Sequence, residues 1–170
     1  MTPFLTIAQS TTYPVFVGRG LIDRVGELVP AKGRVFVITS NALREQFGAR
    51  VAASFRDAEI LAIEEGEHRK TLDTANEIVT MLLDRGGKRD SMAVVVGGGV
   101  LGDTAGFAAS IFLRGIGLVQ VPTTLLAQVD SAIGGKTGVN HPLAKNMIGA
   151  FHQPIGVVSD PQPLGALPRR

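Results

Sequence analysis

The sequence predicts an α/β fold, a mostly parallel sheet with helices on both faces. Two observations carry that expectation. Short runs rich in β-branched residues recur along the chain, and stretches with apolar residues at helical spacing separate them, which is the pattern of successive βαβ units. Charge and glycine are also distributed unevenly: Gly97 to Gly149, 53 residues, holds 11 of the 21 glycines but only Asp103, Arg114, Asp130, Lys136 and Lys145 as charged groups. A segment of that kind is expected to be buried, with backbone close to backbone or to a ligand.

In chain order, Tyr13 to Gly18 reads as an early edge strand, and Arg34 to Thr39 (RVFVIT) as a strand buried on both faces. Ser40 is a plausible N-cap, and Leu43, Phe47, Val51 and Phe55 follow at intervals of four, the stripe of an amphipathic helix. Glu59 to Ile63 is the next strand. Thr71 then caps a helix whose apolar face is Leu72, Ala75, Ile78, Val79, Leu82 and Leu83, stopped by Gly86-Gly87. Met92 to Val96 forms a strand that runs straight into Gly97-Gly98-Gly99, and Asp103 to Leu113 continues as a helix with a small-residue face. Leu118 to Val121 is a strand ended by Pro122, whose ring suits the opening of a helix, and a last short strand lies near Ile155 to Ser159. The domain is expected to span residues 1–160. The prolines at 161, 163 and 168 mark 161–170 as the start of a connection.

Composition excludes several classes. Hydrophobic residues make up 45% and charged ones 19%, unlike a disordered chain. There is no cysteine, hence neither a disulfide scaffold nor a thiolate metal site, and a reducing cytoplasm suits such a chain. The net charge is +2, with Lys and Arg scattered, so no run tracks a nucleic-acid backbone. The opening MTPFLTIAQS lacks the features of a signal peptide, and the uncharged stretch Gly115 to Val129 contains Pro122, two glutamines and two threonines; it would not span a membrane.

Gly97, Gly99 and Gly102 satisfy G-x-G-x-x-G after a strand and before a helix, the context of a Rossmann-like nucleotide-binding turn that brings a pyrophosphate to backbone N–H groups. A merely structural turn is the alternative. The acid that usually holds the ribose about 20 residues on is absent; Val121-Pro122-Thr123-Thr124 stands there. Ile133-Gly134-Gly135-Lys136-Thr137 ends like a P-loop, but Asp130 occupies the first glycine position, and its carboxylate would repel a triphosphate. Lys136 remains a good anion binder, as does Lys145 beside Asn146, although either could be a solvated loop charge. The run Glu64 to Lys70 reads as a solvated loop, placed where an open α/β sheet binds ligands. His68, His141 and His152 lack the short spacing of a metal site, and no metal site is assembled from this chain.

Taken together, EGEHRK (65–70), GGGVLGD (97–103), FLRG (112–115), VPTTL (121–125), DSAIGGKTGVN (130–140) and HPLAKNMIGAFHQP (141–154) resemble the 3-dehydroquinate synthases. All five charges of the charge-poor segment fall inside these blocks. The resemblance implies a lyase that converts 3-deoxy-D-arabino-heptulosonate 7-phosphate, a phosphorylated sugar acid, into 3-dehydroquinate and phosphate in the shikimate pathway. It implies NAD as a catalyst with no net redox change, and a divalent metal, zinc or cobalt. On the resemblance, Gly98, Gly99, Val100, Leu101, Gly102 and Asp103 form the pyrophosphate turn. Glu65, Gly66, Glu67, His68, Arg69 and Lys70 form the nicotinamide-nucleotide loop, and Thr123 and Thr124 a second nucleotide contact. Asp130, Lys136, Lys145 and Asn146 lie between nicotinamide and substrate, with Lys136 and Asn146 on the substrate phosphate. Arg114 reaches that phosphate from the neighbouring subunit of a homodimer. At the adenosine end the sequence reads Thr39-Ser40-Asn41, where Ser40 or Asn41 could serve. The family's metal ligands lie in a helical second domain that follows the LPRR-like segment, so the chain resembles the first half and is expected to lack turnover alone. Another sugar-phosphate cyclase, such as a 2-deoxy-scyllo-inosose synthase, a non-catalytic nucleotide-binding module and an ordinary dehydrogenase are the rival readings.

Overall fold

A computed structural model describes residues 2–8 and 11–166. Among the described residues nine strands are formed: β1 (Leu5–Ala8), β2 (Thr12–Val17), β3 (Val35–Ser40), β4 (Ala58–Ile63), β5 (Met92–Gly97), β6 (Gly117–Pro122), β7 (Lys136–His141), β8 (Ala144–Phe151) and β9 (Gly156–Ser159). Four helices accompany them, the short α1 (Val25–Leu28) and α2 (Ala49–Ala53) and the 13-residue α3 (Leu72–Asp84) and α4 (Gly99–Ile111). Seven strands make one sheet in the order β1-β2-β9-β6-β5-β3-β4, parallel throughout except for β1.

The central strands carry apolar residues on both faces because both faces are covered. Phe36, Ile38, Leu61, Ala93, Val95 and Leu118 point to the side where α3 and α4 pack. Val35, Val37, Val94, Val96, Val119 and Val121 meet Leu21, Ile22, Val25, Phe47 and Val51 on the other. Thr71 caps α3 as its sequence suggests, its side chain accepting from Thr74 N at 3.2 Å, and Gly86 ends it at φ +69°. A buried carboxylate closes the far side: Asp160 accepts from Ile22 N at 3.2 Å and from Gln162 N at 2.9 Å.

Several expectations need correction. Thr12–Val17 is an inner strand, because β1 pairs antiparallel outside it. The amphipathic stretch after Ser40 keeps its spacing, with Phe47 and Val51 buried, but folds as a π-turn (Arg44–Gly48) followed by the single short helix α2. Gly48 permits this, since a Cβ there would stand 2.9 Å from Thr39 Cγ2. Pro122 is the last residue of β6 rather than a helix opener; Thr124 Oγ1 accepts from Ala127 N at 3.3 Å and caps the turn instead. The glycine-rich segment after Gly135 is no loop. It is an antiparallel hairpin, β7–β8, that forms a separate two-stranded sheet lying over α4, with Val139 buried in the core. Of the three tail prolines, Pro161 and Pro163 precede and enter a 3-10 turn (Gln162–Ala166), and Pro168 lies outside the described residues. Among the described residues no helix is long and apolar enough to cross a membrane.

Candidate functional site

β3 and β5 are neighbours, yet the chain leaves β3 toward the α2 face and leaves β5 toward the α4 face. Such a divergence opens a crevice beyond the carboxyl ends of the two strands, where ligands bind in open α/β sheets. The sequence fills that place with Gly97-Gly98-Gly99. None of the three has a positive φ; space demands glycine here. A Cβ at Gly97 would stand 2.5 Å from Leu101 Cδ2, one at Gly98 3.2 Å from Thr124 Cγ2, and one at Gly99 3.0 Å from Ser131 Oγ. Gly98 caps α4 in extended conformation with no side-chain bond to the helix. Gly102 N is the first amide to find its acceptor, Gly98 O at 2.9 Å, so the amides of Gly99, Val100 and Leu101 stand at the positive end of the helix with no intrahelical partner. Leu101 buries its side chain beneath the turn, against Gly97. A turn without side chains at a free helix N-terminus fits a dinucleotide pyrophosphate.

Two further segments border this turn. From β4, Glu65 and Gly66 (φ +143°) lead into the 3-10 turn Glu67–Arg69, and Glu65 Oε1 lies 3.7 Å from where a Cβ on Gly98 would be. Thr123 is buried and donates its amide to Gly97 O at 2.9 Å. Beside them opens a cleft of about 390 Å³ whose walls include Asp103, Asp130, Ser131, Lys136 and Asn146.

Its charges are paired. Lys70, only 8% exposed in its side chain, donates to Asp103 Oδ2 and to Asn146 Oδ1, each at 2.6 Å. Burial pushes the Asp103 carboxyl above its ordinary range, and the hydrogen bond and charge of Lys70 pull it back. That balance decides the net direction, because a carboxylate taken out of water loses more than one ammonium returns. Lys136 Nζ lies 3.1 Å from Asp130 Oδ1 and Lys145 Nζ 3.5 Å from Glu67 Oε1, all four well exposed. Such pairs contribute little and leave both lysines free to turn to an anion. The Asn140 hydrogen bond is the main cause holding the Glu67 carboxyl below its ordinary value, and Lys145 adds to it.

Lys136, Lys145 and Asn146 come from the hairpin. Val139 pairs with Ile148 and His141 with Ala144, so Asn140 alone faces Lys145, Asn146 and Met147. The bulge turns Asn146 through φ +57°, a conformation that costs a non-glycine residue on the order of 1 kcal/mol. Asn140 is the site residue that motif reasoning missed. Its signal was present: Thr137 and Val139, then Ile148 and Ala150, alternate with polar or exposed neighbours around Pro142-Leu143, the mark of a hairpin.

Not every expected residue joins the cleft. His68 is exposed beside Glu64, with Nε2 at 3.7 Å from its carboxylate, and Arg69 pairs with Glu77 on α3. Arg114 lies past the far end of α4, roughly 15 Å along the helix from Asp103. Leu113 and Arg114 both have positive φ there, +50° and +67°. Among the described residues no group of three or more His, Cys, Asp or Glu side chains stands where it could hold a metal ion.

Residues 60–170 match the family model for the 3-dehydroquinate synthase N-terminal region. The chain belongs to the 3-dehydroquinate synthase family. The 3-dehydroquinate synthase of Gloeobacter violaceus is 48% identical to it over 167 residues, covering 94% of this chain and 46% of that protein. A crystal structure of 2-deoxy-scyllo-inosose synthase superposes with a TM-score of 0.90 at 30% identity, over 98% of this chain and 49% of that one. A second, of 2-deoxy-scyllo-inosose synthase complexed with carbaglucose-6-phosphate, NAD+ and Co2+, gives 0.88 at 29% identity, over 94% and 46%. The chain thus spans about half the length of the family members it matches.

Proposed function

We propose that the chain is the nucleotide-binding half of a 3-dehydroquinate synthase, residues 1–160, with 161–170 opening the connection to a second half. The whole protein would eliminate phosphate from 3-deoxy-D-arabino-heptulosonate 7-phosphate to give 3-dehydroquinate, in the cytoplasm. One observation carries the reading. The uncapped, side-chain-free start of α4 opens beside a cleft that gathers two carboxylates, two lysines and Asn146, in a chain 48% identical to a synthase over nearly its whole length. That identity exceeds the 30% shared with the cyclase of known structure, which supports dehydroquinate as product.

In this reading the amides of Gly99, Val100 and Leu101 take the pyrophosphate of NAD. Glu65, Gly66 and Thr124 flank its nicotinamide side, and Ser40 or Asn41 its adenosine side. NAD held there would supply a reversible oxidation of a ring hydroxyl carbon, and the ketone so formed would acidify the neighbouring C–H for the elimination. Lys136 and Asn146 hold the substrate phosphate, Lys136 by swinging away from the exposed Asp130. Lys70 keeps its ammonium on Asp103 and so keeps a second positive charge beside the reacting groups. A homodimer would bring Arg114 from one copy to the cleft of the other. A divalent metal belongs to the second half, since the described residues here do not fit one.

Calorimetric titration of the chain with NAD tests this. The expected result is saturable binding that Gly98→Val weakens by about tenfold or more, since the valine side chain would cover the amides. A folded chain that binds no NAD, or one whose affinity Gly98→Val leaves unchanged, would overturn the reading.

A further inference from the structure

We infer that Asn140, which lines no part of the cleft, is a positioning residue for it: its side-chain amide holds the β8 bulge that aims Asn146 into the cleft and keeps Glu67 within reach of Lys145. The inference rests on reading that cleft as a phosphate site. Three bonds from Asn140 reach two segments, the Glu67–Lys70 loop and β8. Its backbone N–H donates to Lys70 O at 2.8 Å, its Oδ1 accepts from Asn146 N at 2.9 Å, and its Nδ2 donates to Glu67 Oε1 at 2.9 Å.

The chemistry explains why an amide stands there. With three residues of β8 facing one of β7, the Asn146 amide has lost its ladder acceptor, and a bulge is held only where other groups replace the missing bonds. Oδ1 of Asn140 supplies that acceptor. Lys70 holds the Asn146 side chain separately through Oδ1 at 2.6 Å, so backbone and side chain of one left-handed residue are fixed from two directions. On its other side Asn140 must donate to a carboxylate. An aspartate would set carboxylate against carboxylate, and a leucine of similar size offers neither an acceptor nor a donor.

Two variants separate these contributions. Asn140→Leu removes both bonds, and Asn140→Asp keeps the acceptor for Asn146 N–H. Amide hydrogen exchange at Asn146 is measured by NMR, with inorganic phosphate as the probe of the cleft. Asn140→Leu is expected to speed Asn146 exchange by about tenfold or more and to weaken phosphate binding by about fivefold or more, whereas Asn140→Asp keeps Asn146 exchange within about threefold of the parent. Should Asn140→Leu fail to fold, Asn140→Ser takes its place with the same expectation, its hydroxyl being too short to reach Asn146. Exchange and phosphate affinity both within about twofold of the parent in the leucine or serine variant would overturn the inference. So would equal acceleration by Asn140→Asp. NAD titration keeps the two readings apart. A parent chain that binds neither NAD nor phosphate refutes the functional reading while the exchange result still judges Asn140; unchanged exchange in a chain that binds NAD refutes Asn140 alone.

Discussion

Asp103 sits where two demands oppose each other. It lies one turn into α4, close to where an anion is proposed to bind, and its own charge is partly removed from water. Lys70 answers both by bonding to it at 2.6 Å, yet burial still holds the carboxyl above the usual range. The sign of the linkage follows: a carboxyl that titrates above its reference of 3.8 when folded costs the folded state its ionisation. That cost is complete above the folded midpoint and fades as the pH falls through it toward the reference value. Carboxyl NMR should therefore find the Asp103 midpoint above 3.8, and Lys70→Met should move it further up, since the lysine is what pulls it down. A midpoint at or below the reference, or a downward move in the variant, would contradict the account. The residue types at this site were legible from the motifs; their partners were not. Lys70 meets Asp103 and Asn146 across 33 and 76 residues of sequence, and no local pattern encodes which of several lysines will be the buried one.

At the scale of the element, α4 is shaped by what it must fit between. It packs on the sheet through Leu101, Ala105 and Ala108 and carries the hairpin on its other side, against Val139. The glycines along it serve that double contact. A Cβ at Gly106 would stand 2.7 Å from Thr137 Cγ2 and 3.5 Å from Gln120 Nε2. Gly106→Val should thus lower the unfolding free energy by about 1–3 kcal/mol in urea titrations, even though glycine is a poor helix former; a neutral or stabilising result would mean the hairpin rides more loosely than the distances state. Small residues at this spacing made close packing legible, but not what packs. Parallel strands such as Val35–Ser40 and Met92–Gly97, buried at every position, announce themselves as continuous apolar runs. The hairpin, half exposed and built from Gly, Lys and Asn, carries only the fainter alternation around Pro142-Leu143. β1 was missed for a similar reason: four residues with one face open carry too short a pattern.

Over the whole molecule the apolar surface is not evenly covered. Leu125, Leu126 and Val129, 60–70% exposed, crowd one short turn next to Asp130, while Met147 and Phe151 lie open on the hairpin. A monomer seldom leaves neighbouring large apolar side chains so open, and here they adjoin the cleft proposed to need a second half. Replacing Leu126 and Val129 together by Glu should reduce the binding of a hydrophobic fluorescent dye to about half or less while leaving the thermal midpoint in place, since neither side chain contributes to the core. A drop of the midpoint by several degrees would mean that this turn is part of the folded interior after all.

The backbone between Gly135 and His152 departs and comes back at a single point, where His152 N donates to Gly135 O at 2.8 Å. It brings Lys136, Lys145 and Asn146 with it and shares no strand with the seven-stranded sheet. A stretch closed on itself in that way can be exchanged as a cassette. Grafting it from one family member into another would carry over the groups proposed to hold the substrate phosphate while leaving the proposed dinucleotide turn in place.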